Sequence, residues 1–263
     1  MKKLIYNPDI NHLLKEYSNE KIISYTVVIA IFIGIGLGVK RYVQGPGQPV
    51  DGILVSGTAT DVEKVKQEFK DDTKQSIDYK VKYVTTTKRS PLSEEDKKQN
   101  DTNEEFEINT TEYAVINSST AVKLFNKGLL RARKDPNLAS IISERVKDKN
   151  KVSSDQNLLF SYAAKDSMVD NFENNQLNLN GKMVSAQYVK QQIWIGYAPM
   201  NLVILKDQDY NAISESESIM KLIQFKKHDF DYKNKQEVDK VLQQIDKVSS
   251  NNQYKINFVE VQD

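Results

Sequence analysis

Lys123, Lys127 and Arg131 stand four residues apart, a spacing that lines three cations along one face of a helix. The opposite face carries the apolar stripe Val122, Phe125 and Leu129, so the cations are free of core duty. They open a basic stretch, Lys123 to Lys151, in which nine Lys and Arg meet three carboxylates. The chemistry this suits is electrostatic docking of a polyanion: an anionic polymer or lipid headgroups. A second pair, Gly34 and Gly38, lies in an apolar run, where small residues four apart let two helices pack closely. Those two glycines are expected to support a homo-oligomer.

Other chemistries are poorly supplied. There is no cysteine, so thiol catalysis is excluded, and the only histidines are His12 and His228. His228 sits in "KKHDFDY", a solvated loop. No GxxxxGK[ST] occurs, and Gly34, Gly36 and Gly38 lack the strand and downstream acid of a dinucleotide fold. The carboxylates of "EED" (94–96) and "SESES" (214–218) stand in polar runs, without the apolar surround that raises a pKa for acid–base work. No catalytic residue, cofactor or metal site is expected, and the protein is read as non-enzymatic.

The elements that would position these residues begin with the run from Ile22 to Val39. About 18 apolar residues make roughly 27 Å of helix, enough for a hydrocarbon core. Lys40 and Arg41 follow it directly in place of a small-residue cleavage site. The expected organisation is a cytoplasmic tail at 1–21, a transmembrane helix at 22–39, a Gly/Pro spacer at 40–52 and an extracytoplasmic domain at 53–263. Lys2, Lys3, Lys15 and Lys21 before the span favour an inside N-terminus, which gives a single-pass cell-membrane localisation.

For the domain itself the expectation is α+β, helices packed on a mainly antiparallel sheet, in one unit or two subdomains. Hydrophobic residues make 39% of the chain and the net charge is +1, which gives a globular body without whole-molecule steering. "SIDYKVKYV" (76–84) alternates as a half-buried strand. The charged stretch 85–105 reads as a mobile loop. A helix is expected from Asn117 or Ser118 to Leu130, and a second from Asp135-Pro136 with Leu138, Ile141, Ile142 and Val146 buried. Strands follow from Asn157, Lys182 and Asn201, with Trp194 as a sheet core residue. "DVEKVKQEF…SIDYKVKYV" and "EVDKVLQQI…NQYKINFVEV" repeat one helix–strand pattern, which predicts a ferredoxin-like pairing of two halves in one sheet.

The layout is similar to two families. One is the bitopic assembly subunit of type IV secretion and conjugation channels, whose helices precede a curved antiparallel sheet, as Ser118–Val146 would precede the strands from Asn157 to Lys206. The other is the polysaccharide chain-length co-polymerase, through "RYVQGPGQPVDGILVSG" and "KINFVEVQD". The likeness implies a non-enzymatic scaffold or assembly subunit of an envelope machine, whose partners are its own copies and other envelope subunits. An extracytoplasmic sensor or binding domain is the alternative.

Overall fold

The computed structural model describes residues 47–91, 105–135, 141–161, 169–227, 229–248 and 255–262. The expected transmembrane helix, Gly34 and Gly38, both histidines and positions 92–104 of the expected charged loop lie outside these residues, whereas positions 85–91 of that expected loop are strand, held by antiparallel pairing with 106–112. Among the described residues no helix is long and apolar enough to cross a membrane.

In chain order, β1 (Pro49–Val50) leads into β2 (Gly52–Gly57), helix α1 (Ala59–Glu68) and the long strand β3 (Thr73–Pro91). Thr58 caps α1, its hydroxyl accepting from the Asp61 amide, and the Asp61 carboxylate sits in the first turn, where the helix dipole favours it. Next come β4 (Phe106–Asn117) and α2 (Ser118–Asn126), capped by Asn117. α2 stops early because Gly128 adopts φ 67°, which turns the chain out of the helix. The chain then runs as β5 (Leu130–Arg133), and β6 (Ser143–Arg145) pairs with it antiparallel. Within the basic stretch, two short strands, β5 and β6, therefore follow the helix where its continuation is expected. The expected second helix is replaced at its C-terminal end by β6, and helices do not precede the sheet in the manner of the secretion subunits.

The remainder is β7 (Leu158–Phe160), β8 (Phe172–Glu173), β9 (Gln176–Leu179), β10 (Lys182–Ser185), β11 (Gln187–Val189), β12 (Ile193–Ile195), β13 (Asn201–Leu205), the short α3 (Asp207–Asn211), β14 (Ser218–Phe225), β15 (Phe230–Asp231), α4 (Lys235–Val248) and β16 (Lys255–Val259). Eight strands form the main sheet, in the order β11-β7-β13-β4-β3-β14-β2-β16. Its last four, β3-β14-β2-β16, are all antiparallel neighbours. With α1 between β2 and β3 and α4 before β16, they make the split βαβ arrangement that the repeated pattern predicts. Strands β4 to β13 form an insertion between its second and third strands, and β1 and β15 pair as a separate two-stranded sheet.

The central strands β7, β13, β14 and β2, with residues 113–116 of β4, are buried on both faces, which suits their apolar runs. Along β4 the side chains of Ala114 and Ile116 enter one core and those of Tyr113 and Val115 another. The first core lies against α2 and the small sheet β12-β5-β6, where Trp194 is 1% exposed. The second lies under α3 and the meander β10-β9-β8. A third, with Val62, Val65, Val241 and Ile245, seats α1 and α4 on the split βαβ half. The expected class of helices on a sheet is thus corrected to a mainly β protein. Helices cover one face of half the sheet, and most of the remaining cover is small β-sheets.

Candidate binding clefts

The three cations expected on one helix face are separated by the end of α2. Lys123 is exposed on that helix, Lys127 is its C-cap residue, and Arg131 lies in β5, only 8% exposed. Arg131 Nε donates to Ser143 Oγ at 2.8 Å and Nη2 to the Ser143 carbonyl at 2.9 Å. Its guanidinium lies over the Tyr197 ring. Burial pulls its pKa below the ordinary value, against the opposing influence of Tyr197 and Glu260. A cation committed in this way holds structure together; it is not available to a polymer.

A different set of residues converges on the meander. β8 and β9 are joined by Asn174-Asn175, with φ of 50° and 58°, and β9 and β10 by Asn180-Gly181, with φ of 50° and 88°. Two left-handed residues in a two-residue loop make a type I′ turn, whose twist matches paired strands. Leu177, Leu179 and Val184 point into the core, which sets Gln176 and Asn178 on the outer face with the exposed Met183.

The meander is pinned to the β3–β4 hairpin where the chain enters it. Tyr113 Oη donates to the Asp170 carbonyl at 3.0 Å, and Lys88 Nζ to the Asp170 carboxylate at 3.2 Å. Asn171 Nδ2 donates to Thr86 Oγ1 at 2.9 Å, and the Asn171 carbonyl accepts from the Asn178 amide at 2.8 Å. These bonds fix both walls of a cleft of about 740 Å³. That is the size range of ligand sites.

Amides dominate its lining: Asn171, Asn174, Asn175, Gln176 and Asn178. Asn171 is committed to Thr86, and Asn178 Oδ1 accepts from the Gly181 amide at 2.7 Å. The side chains of Asn174, Asn175 and Gln176 have no partner among the described residues, and each offers two donors and an acceptor. Asn175 also borders a second polar cleft, of about 410 Å³, beside Asn157 and Asp209. There Asn157 Nδ2 donates to the Ser185 carbonyl at 2.8 Å and to Asp209 at 2.7 Å.

None of the strongly perturbed side chains lines these clefts. Burial raises the Tyr79 and Tyr83 hydroxyls to about 12, and holds those of Tyr113, Tyr197 and Tyr210 well above their ordinary value. All remain protonated at neutral pH. Among the described residues no group of His, Asp and Glu is placed to hold a metal ion. Charge patterning does not point to this surface, although Asn-Gly between alternating apolar residues is a strong hairpin signal.

Residues 50–262 match a family model described as an uncharacterised lipoprotein family. No curated protein matches the chain. A solved structure described as a lipoprotein from Bacillus anthracis is similar at a TM-score of 0.49 and 17% identity, over 81% of this chain and 99% of that one. The family corrects the expected localisation: a lipoprotein is held at the envelope by lipid, where the apolar run predicts a single transmembrane helix. The 263 residues contain no cysteine, so a lipid on any of them is not thiol-linked. Nothing in these likenesses bears on secretion or conjugation.

Proposed function

The chain belongs to this family of envelope-associated lipoproteins, and from that premise we propose that it is a non-enzymatic scaffold domain whose amide-lined clefts bind a hydroxyl-rich envelope polymer. The observation that carries the reading is the row of uncommitted amides at Asn174, Asn175 and Gln176, where the two clefts meet at Asn175. An amide both gives and takes hydrogen bonds, as a sugar hydroxyl does, and two adjoining clefts suit a chain better than a single small molecule. The walls are held by hydrogen bonds before any ligand arrives, so binding orders little of the protein.

The test removes the amides and keeps the turn. Asn174→Gly and Asn175→Gly preserve the left-handed backbone, and Gln176→Ala changes an outward-facing side chain at the first residue of β9. Full-length protein is sedimented with isolated cell-wall polysaccharide. The triple variant should keep the wild-type circular dichroism spectrum and lose at least tenfold in affinity. Wild-type affinity in that variant would remove the clefts from the account.

A further inference from the structure

A smaller cavity, of about 180 Å³, lies where β2, β3 and β16 meet the turn after β12, and it shares no lining residue with the amide clefts. Leu54, Met200 and Met220 supply apolar lining, and Ser56, Tyr83, Glu112 and Lys255 supply polar groups. An engineered cavity of about 150 Å³ accepts benzene, so this one takes a group of a few heavy atoms and not a whole sugar or peptide.

The polar groups can be accounted for one by one. Tyr83 Oη donates to Ser56 Oγ at 2.8 Å. Ser56 is 3% exposed, and its own hydrogen has no acceptor among the described residues. Glu112 pairs with Lys255, whose ammonium also lies 4.8 Å from the centre of the Tyr83 ring. Asn257 is fully engaged: Nδ2 donates to the Ile195 carbonyl at 2.6 Å and to the Ala198 carbonyl at 3.2 Å, and Oδ1 accepts from the Ala198 amide at 2.9 Å. It latches the turn that borders the cavity.

What the cavity lacks is therefore an acceptor for Ser56, an apolar group against Leu54, Met200 and Met220, and at most a donor for Glu112. Because Glu112 and Lys255 neutralise each other, a charged ligand would meet a like charge. A neutral one would not. We propose that the cavity receives the acetamido group of a larger solvent-exposed ligand. Its methyl packs on Leu54, Met200 and Met220, its carbonyl oxygen accepts from Ser56 Oγ, and its N–H donates to Glu112. A ligand with a hydroxyl or ammonium in place of the acetamido leaves the apolar wall unfilled, and the ammonium adds a charge beside Lys255.

Full-length protein is titrated with N-acetylglucosamine, glucosamine and glucose while saturation-transfer NMR reads the ligand signals. Saturation should reach the acetyl methyl of N-acetylglucosamine, with glucosamine and glucose at least tenfold weaker. Ser56→Ala should weaken N-acetylglucosamine at least tenfold. Met200→Trp, which fills the cavity from its rim and leaves Ser56 in place, should abolish it whether or not Ser56→Ala folds. Equal binding of the three sugars, or wild-type affinity in Met200→Trp, would overturn the proposal.

Discussion

The guanidinium carbon of Arg131 lies 4.4 Å from the centre of the Tyr197 ring, and the Tyr197 hydroxyl donates to the Pro49 carbonyl at 2.6 Å. Through this contact β5 is tied to the strand by which the chain enters the domain. Tyr197 in turn stacks on Tyr232 at 5.3 Å, and Glu260 near the C-terminus lies 2.9 Å from Arg145 and 3.9 Å from Arg131.

Arg131→Gln should therefore cost stability. It removes two charge-assisted hydrogen bonds to Ser143 and a cation–π contact, together about 2–4 kcal/mol. Lys123→Gln and Lys127→Gln, at the helix surface and its cap, should each stay within about 0.5 kcal/mol. Urea unfolding of the three variants measures this. Equal effects would mean that Arg131 is as dispensable as a surface lysine.

Alkali should unfold the protein through its buried tyrosines. A hydroxyl whose pKa rises from 10.0 to about 12 on folding keeps its proton longer in the native state than in the unfolded one. The stabilisation is complete below pH 10 and is lost as pH climbs from about 10 to about 12. Each such group is worth on the order of 2–3 kcal/mol. Stability measured between pH 8 and 12 should stay level and then fall above 10. Tyr79→Phe removes a buried hydroxyl that has no hydrogen-bond partner among the described residues, so at pH 7 it should be neutral or stabilising by about 1 kcal/mol. A loss of several kcal/mol there would show that the hydroxyl is satisfied.

Two glycines separate backbone strain from crowding. Gly181 has φ 88°, and a Cβ there would have nothing within 4 Å, so Gly181→Ala should cost only the left-handed strain, about 1–2 kcal/mol. Gly196 has φ 66°, and a Cβ there would lie 2.5 Å from Asn257 Oδ1. Gly196→Ala should cost clearly more, because it also breaks the Asn257 latch. Thermal unfolding of both variants tests the order, and the reverse order would contradict the packing described at that turn.

What the sequence displayed depended on whether local pattern or tertiary pairing decided the element. The α1–β3 and α4–β16 repeat was legible because amphipathic helices and alternating strands carry their own periodicity. Strand β14 was hidden by Lys221, which breaks the apolar run Ile219 to Phe225. Its charge is accommodated by Asp78, directly opposite in register and hydrogen-bonded to it. The segment after Gly128 reads as helix because its apolar spacing fits 3.6 residues, yet pairing with β6 and β12 decides for strand. The clefts are not legible from charge, which singles out the lysines, whereas uncharged Asn and Gln at turns carry the free hydrogen-bonding groups.

The most direct measurement is hydrogen–deuterium exchange on the full-length protein, with and without isolated cell-wall polysaccharide. Binding at the amide clefts predicts slowed exchange in peptides covering 171–178 and 156–157, with little change along 118–127. Protection confined to 118–127, or no protection at the meander under conditions where the polymer is bound, would contradict the account.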